Sequence, residues 1–214
     1  MRKALVVWGG WQGHEPEQCA RIVADLLRED GFAVEVTGDL GIFGSPTLAK
    51  ADLLVPIITG EKLEKDHALG LVAAVRGGLG LAGHHGALAT SFKESAPFRY
   101  VAGVTWVAHP GNIIDFRVAV TRQDDPVMEG IPDFDYRSEQ YYLHFDPTVE
   151  ILATTTFTGA YDPAARNVVM PVVFKRHFGA GRIFYSALGH VAAEFDHPYM
   201  PLMLRRGLNW AARR

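Results

Sequence analysis

The sequence predicts one α/β domain built on an open, mostly parallel sheet, with helices on both faces and an antiparallel edge. Three observations carry that expectation. Short β-branched apolar runs alternate with segments of helical period as far as Leu88, and glycine-rich turns follow the runs. The last third changes to strands separated by tight turns, which is the pattern of an antiparallel extension. A length of 214 residues suits a single core.

Lys3-Ala4-Leu5-Val6-Val7-Trp8 reads as a central parallel strand buried on both faces, and it ends in Gly9-Gly10-Trp11-Gln12-Gly13-His14. Ala20, Val23, Ala24 and Leu27 then fall on one helical face, so a helix is expected from Glu15 to Arg28, with Pro16 in its first turn. Gly31 stops it. Phe32 to Thr37 forms the next strand and completes a right-handed βαβ unit. Gly9, Gly10 and Gly13 do not have the G-x-G-x-x-G spacing of a dinucleotide site. Asp52 to Ile58 is a third strand, followed by a helix from Glu61 to Val75.

The chain is organised around Gly77 to Ala87, where a buried strand end runs into Gly83-His84-His85-Gly86 and a helix starting near Leu88. Such an elbow lifts one side chain above the sheet, with φ > 0 at the lifted residue. The lifted residue is a histidine, read as His85, which favours metal ligation or acid–base chemistry over covalent acyl transfer. A pair of loop histidines satisfied by backbone carbonyls is the plainer alternative.

Beyond the elbow, Phe98 to Asn112 reads as an irregular, aromatic-rich loop, and Phe116 to Val120 as a half-buried strand. Pro126 to Pro132 is a short helical turn. Asp133 to His144 is extended, with Glu139, Tyr141 and Leu143 on one face and Gln140, Tyr142 and His144 on the other. Strands over 150–156, 168–176 and 182–188 follow, the last two as a hairpin finishing one edge of the sheet, and a closing helix runs from Pro198 to Arg213.

Composition narrows the function classes. Hydrophobic residues at 48% and charged residues at 21% exclude a disordered chain. A net charge of −3, without a block of like charges, excludes a basic track for nucleic acid. No apolar stretch is long enough to span a bilayer, Met1 to Ala4 runs straight into a strand without a signal core, and Cys19 is the sole cysteine. A cytoplasmic protein is therefore expected.

Four of the nine histidines, His14, His85, His109 and His190, stand at predicted loop edges, where open α/β sheets bind their ligands. His84 and His144 are weaker candidates, and His67, His177 and His197 read as surface or capping residues. Imidazoles with one carboxylate, such as Glu139, suit zinc or another divalent ion, so His14, His85, His109 and His190 are candidate metal ligands. The spacings match no compact metal motif. Without a metal, His85, His190 and Glu139 are candidate acid–base groups. Trp11, Trp106, Tyr141 and Tyr142 could offer flat faces and hydroxyls to a sugar ring, or simply pack.

These features resemble the trehalose-utilisation (ThuA-like) family, whose fold is similar to flavodoxin-like class I glutamine amidotransferases. The resemblance rests on the Gly-Gly strand end before His14, the Gly83 to Ala87 elbow, Glu139-Gln140-Tyr141-Tyr142 and Pro171-Val172. It extends through Gly179 to Tyr185, Leu188-Gly189-His190 and Arg206 to Ala211. It implies that His85 occupies the amidotransferase nucleophile position, His190 the catalytic histidine and Ala192 the glutamate, so glutaminase chemistry is not expected. It also implies carbohydrate metabolism, with a disaccharide or keto-sugar derivative as the small-molecule partner. The competing expectation is a non-catalytic sugar-binding or assembly module, and exposed aromatic surface is compatible with a homo-oligomer.

Overall fold

A computed structural model describes residues 1–213. Strands β1 (Lys3–Gly10), β2 (Ala33–Thr37), β3 (Leu53–Thr59) and β4 (Gly80–His84) are parallel and interleaved with helices α1 (Pro16–Glu29), α2 (Thr47–Lys50) and α3 (Lys65–Arg76). Ala4 to Val7 are buried on both faces, as a strand covered by helical layers must be. In α1, Ala20, Val23, Ala24 and Leu27 are essentially inaccessible, so the predicted face is the packed one. Truncating Leu27 to alanine would cost about 2–5 kcal/mol. Helix α3 starts later than its apolar pattern suggests, because Gly60 (φ 80°) and Glu61 (φ 59°) are left-handed.

Past β4 come the single turn α4 (Gly86–Ala89), helix α5 (Ala96–Ala102) and strand β5 (Val104–Ala108). The segment expected to be an irregular loop from Phe98 is thus partly regular. Ser95 caps α5 by accepting from Phe98 N, and Gly103 (φ 69°) closes it, two local signals that outweigh the polar composition. Strands β6 (Ile113–Val120), β7 (Phe134–Glu139), β8 (Tyr142–Phe145) and β9 (Glu150–Thr156) follow. The extended stretch after Asp133 does not stay in one sheet: β7 pairs with β6, whereas β8 pairs with β5 in a separate two-stranded sheet. Glu139 and Tyr141 flank that crossing.

The chain ends with β10 (Val169–Phe178), β11 (Gly181–Ser186) and α6 (Met200–Ala211). The large sheet has the order β2-β1-β3-β4-β11-β10-β9-β6-β7. The β10–β11 hairpin therefore does not finish an edge. Strand β11 pairs in parallel with β4 at the middle of the sheet, Ser186 opposite His84, and the antiparallel edge is β9, β6 and β7. This pairing brings the turn after β11 beside the elbow after β4.

Candidate functional site

The elbow forms as the glycines and the small residue Ala87 dictate. His85 has φ 48° and ψ −120°, a conformation that costs a non-glycine residue about 1–3 kcal/mol and must be held by its surroundings. Its N–H donates to Ser186 O (2.6 Å), and its carbonyl accepts from the Tyr185 hydroxyl (2.8 Å). Both anchors lie on β11. Gly86 has no room for a side chain: a Cβ there would sit 2.7 Å from Thr59 Oγ1 and 3.0 Å from His14 Nδ1.

Hydrogen bonding fixes the His85 tautomer. Nδ1 faces the Ala187 carbonyl at 3.1 Å, an acceptor only, so Nδ1 donates there, and in the neutral ring it is Nε2 that keeps the lone pair. Nε2 accepts from the Tyr141 hydroxyl at 2.7 Å and lies 3.2 Å from Glu139 Oε2. His85 and Tyr141 are fully buried, and Glu139 is nearly so.

His14 joins from the turn after β1, its Nδ1 2.6 Å from Thr59 Oγ1 and its ring edge-on to those of His85 (4.8 Å) and His190 (5.0 Å). His190 follows β11. Its buried Nε2 has no hydrogen-bond partner among the described residues and lies 4.0 Å from Glu139 Oε1. One donor atom from each of His14, His85, Glu139 and His190 falls within 4.8 Å of every other. His109, placed after β5, stays outside that group of four but approaches Glu139 Oε1 at 3.7 Å.

The protonation states suit a cation. Burial, and then the His85 and His190 charges, push His14 down to about 3, and burial likewise lowers His190. Burial alone would raise Glu139, but the His85 ring, its Nε2 3.2 Å from Oε2, and then the His190 and His109 rings carry it down to about 2. At neutral pH His14 and His190 are uncharged and Glu139 is a carboxylate. Lone pairs converge and few hydrogens meet them. Tyr141 is the side-chain hydroxyl that donates into the cluster, and burial holds its own ionisation well above the ordinary range.

Trp106 is half-buried beside the cluster, 5.3 Å from the His109 ring and 6.3 Å from Tyr141, with Lys93 Nζ 4.1 Å above its face. Its indole N–H is buried without a partner among the described residues. Trp11 is 57% exposed and meets His14 edge-on. Tyr142 turns to Phe157 (5.7 Å), so the structure does not bring it against the histidines. His84 is buried behind the elbow, its Nδ1 donating to Gly189 O (3.1 Å), while His85 faces Glu139.

One carboxylate was not visible as part of the site in the sequence. Ala192 stands where the amidotransferase pattern has its glutamate, but Glu194 sits in the same loop and accepts from the N–H groups of Gly189 (3.0 Å) and His190 (2.9 Å). A carboxylate two residues past the matched position was the available signal. Cys19 is fully buried, and burial pushes its thiol up to about 12.

A family model described as ThuA, trehalose utilisation, matches residues 3–211. No curated protein matches the chain. Among solved structures, a ThuA-like protein from Bacteroides uniformis superposes with a TM-score of 0.79 at 19% identity, covering 98% of this chain and 91% of that one. A ThuA-like protein from Parabacteroides merdae gives 0.77 at 18% identity, covering 98% and 89%. A cytoplasmic protein from Salmonella typhimurium LT2 gives 0.66 at 13%, covering 99% and 100%. At such identities these likenesses speak for the fold alone.

Proposed function

The chain belongs to the ThuA (trehalose utilisation) family, and on that premise we propose that it is a carbohydrate-processing enzyme whose His14, His85, Glu139 and His190 hold a divalent ion such as zinc. The observation that carries the reading is the excess of converging lone pairs over hydrogens, three imidazole nitrogens and a carboxylate around one point. Neutral imidazoles with one carboxylate oxygen are the donor set that zinc accepts. The Nδ1 contacts of His85 to Ala187 O and of His14 to Thr59 Oγ1 are the supporting shell that orients such ligands.

The substrate class proposed is a disaccharide or its keto derivative. When bound, such an ion supplies Lewis-acid polarisation of a carbonyl or hydroxyl oxygen. Trp11 offers an exposed ring face beside the cluster, and the half-buried Trp106 ring stands behind His109 as the second aromatic wall. His109, within reach of Glu139 and partly open to solvent, is suited to pass a proton outward. Glutaminase chemistry is not part of the reading, because a histidine fills the nucleophile position and the Cys19 thiol is buried and protonated. We place the activity in the cytoplasm: no described helix is long and apolar enough to cross a membrane, and one structural neighbour is a cytoplasmic protein.

The test is metal content after dialysis without chelator, for wild type, His85→Ala and His190→Ala, with folding checked by circular dichroism. Near-stoichiometric zinc, manganese or nickel in the wild type that washes out of both variants is the expected result. A wild type that takes up none of these ions overturns the metal reading. Turnover of keto-disaccharides by that metal-free protein, lost in both variants, would then assign proton transfer to His85 and His190.

A further inference from the structure

The ring of His190 makes no side-chain hydrogen bond among the described residues. Its Nε2 is buried and unpartnered among the described residues, with the His14 and His85 rings 5.0 Å away and Glu139 Oε1 at 4.0 Å. Its aim is therefore set by ring packing and by its main chain. That main chain lies in a short turn after β11 which begins at Gly189 in a left-handed conformation (φ 95°), and a Cβ there would meet Met200 Cε at 2.2 Å and His84 Nδ1 at 2.9 Å.

A single carboxylate oxygen gathers this turn. Glu194 Oε2 accepts from Gly189 N (3.0 Å), His190 N (2.9 Å) and the Tyr136 hydroxyl (2.6 Å). Tyr136 lies on β7, the strand that ends in Glu139. Glu194 thus fastens the turn that carries His190 to the strand that carries Glu139, two pieces remote in sequence and on different parts of the sheet. The tie is charge-assisted and half-buried, and burial together with Glu194 keeps the Tyr136 phenol protonated, so that it remains a donor. On the far side of the same turn, Glu15 Oε2 accepts from Ala192 N at 2.9 Å, which leaves the Gly189–Ala192 backbone held by carboxylates at both ends.

We infer that Glu194 is a positioning residue: through the Gly189 and His190 amides and the Tyr136 hydroxyl, it sets the distance between His190 and Glu139 and with it the affinity of the cluster for a divalent ion. The inference rests on the metal reading of the site. It adds a residue that touches neither ion nor substrate and acts only through His190. Supporting shells of this kind are commonly worth 10–100-fold in metal affinity.

The experiment is a zinc titration by competition with a chromophoric chelator, on the full chain, for wild type, Glu194→Ala, His190→Ala and the double variant. Glu194→Ala is expected to weaken zinc by about tenfold or more in the wild-type background and to change nothing further in the His190→Ala background, whose residual affinity, too weak to survive dialysis, is read by titration at higher free zinc. A merely structural residue would weaken binding equally in both backgrounds, and that result overturns the inference. Should Glu194→Ala fail to fold, Tyr136→Phe removes one of the three donors and keeps the ring; the same dependence on His190 is expected with a smaller loss. A wild type that binds no zinc overturns the metal reading together with this inference. A wild type that binds and a Glu194 variant that binds as tightly overturn the inference alone.

Discussion

The Tyr141 hydroxyl donates its hydrogen to the same His85 lone pair, over 2.7 Å, that would have to face a bound ion. The His85 Nε2 lone pair can serve one of them at a time. Removing the hydroxyl with Tyr141→Phe removes a competitor worth about 1 kcal/mol, so zinc should bind about fivefold tighter. Competition titration reads the change, and an affinity equal to or below that of the wild type would show that the hydroxyl and the ion do not compete.

His85 pays for its orientation in backbone strain. Glycine adopts φ 48° with ψ −120° far more easily than alanine does, and neither keeps the imidazole. His85→Gly should therefore unfold at a higher denaturant concentration than His85→Ala, by about 1 kcal/mol in free energy, although both lose the ring. Equal midpoints would mean that the elbow relaxes once the imidazole is gone.

A third expectation concerns acid. Asp30 at the end of α1 takes Nε and Nη2 of Arg205 on α6 at 2.6–3.0 Å, and the hydrogen bond from Arg205 holds its carboxyl below the ordinary carboxylate range. The unfolded chain then binds the proton more readily than the folded one. The pair's contribution is complete above the ordinary aspartate range and is lost as the pH falls through the folded value. Asp30→Asn should cost about 1 kcal/mol at neutral pH, given the partial exposure of the pair, and nothing once wild-type Asp30 is itself protonated. Urea unfolding across that range tests it; a constant difference at every pH would detach the effect from this carboxyl.

The sequence reports strongly on what is local. The first βαβ unit and the elbow were legible from Ala20, Val23, Ala24 and Leu27, and from the glycines around His84 and His85, because helical period and turn chemistry act over a few residues. Helix α5 was also written locally, in Ser95 and Gly103, under a composition that suggested a loop. What could not be read was partnership. Nothing within residues 181–188 says that β11 pairs with β4 rather than with an edge, and nothing near Tyr142 says that the strand leaves one sheet for another, which is what sends its ring to Phe157. Glu194 escaped for the same reason, since its role depends on Tyr136 from a remote strand.

The parallel pairing of β4 with β11 has a consequence for how the chain is made. While a ribosome is synthesising the protein, β4 emerges early and stands as an open, apolar sheet edge until residues 181–186 follow. At ~5–20 residues per second that wait is on the order of ten seconds, long compared with collapse and long enough for edge-to-edge association of nascent chains. The sheet cannot close from its amino-terminal half alone. Because His85 takes its backbone anchors from Tyr185 and Ser186, the elbow acquires its final geometry only when the last strand docks, so assembly of the candidate site is one of the closing events of folding.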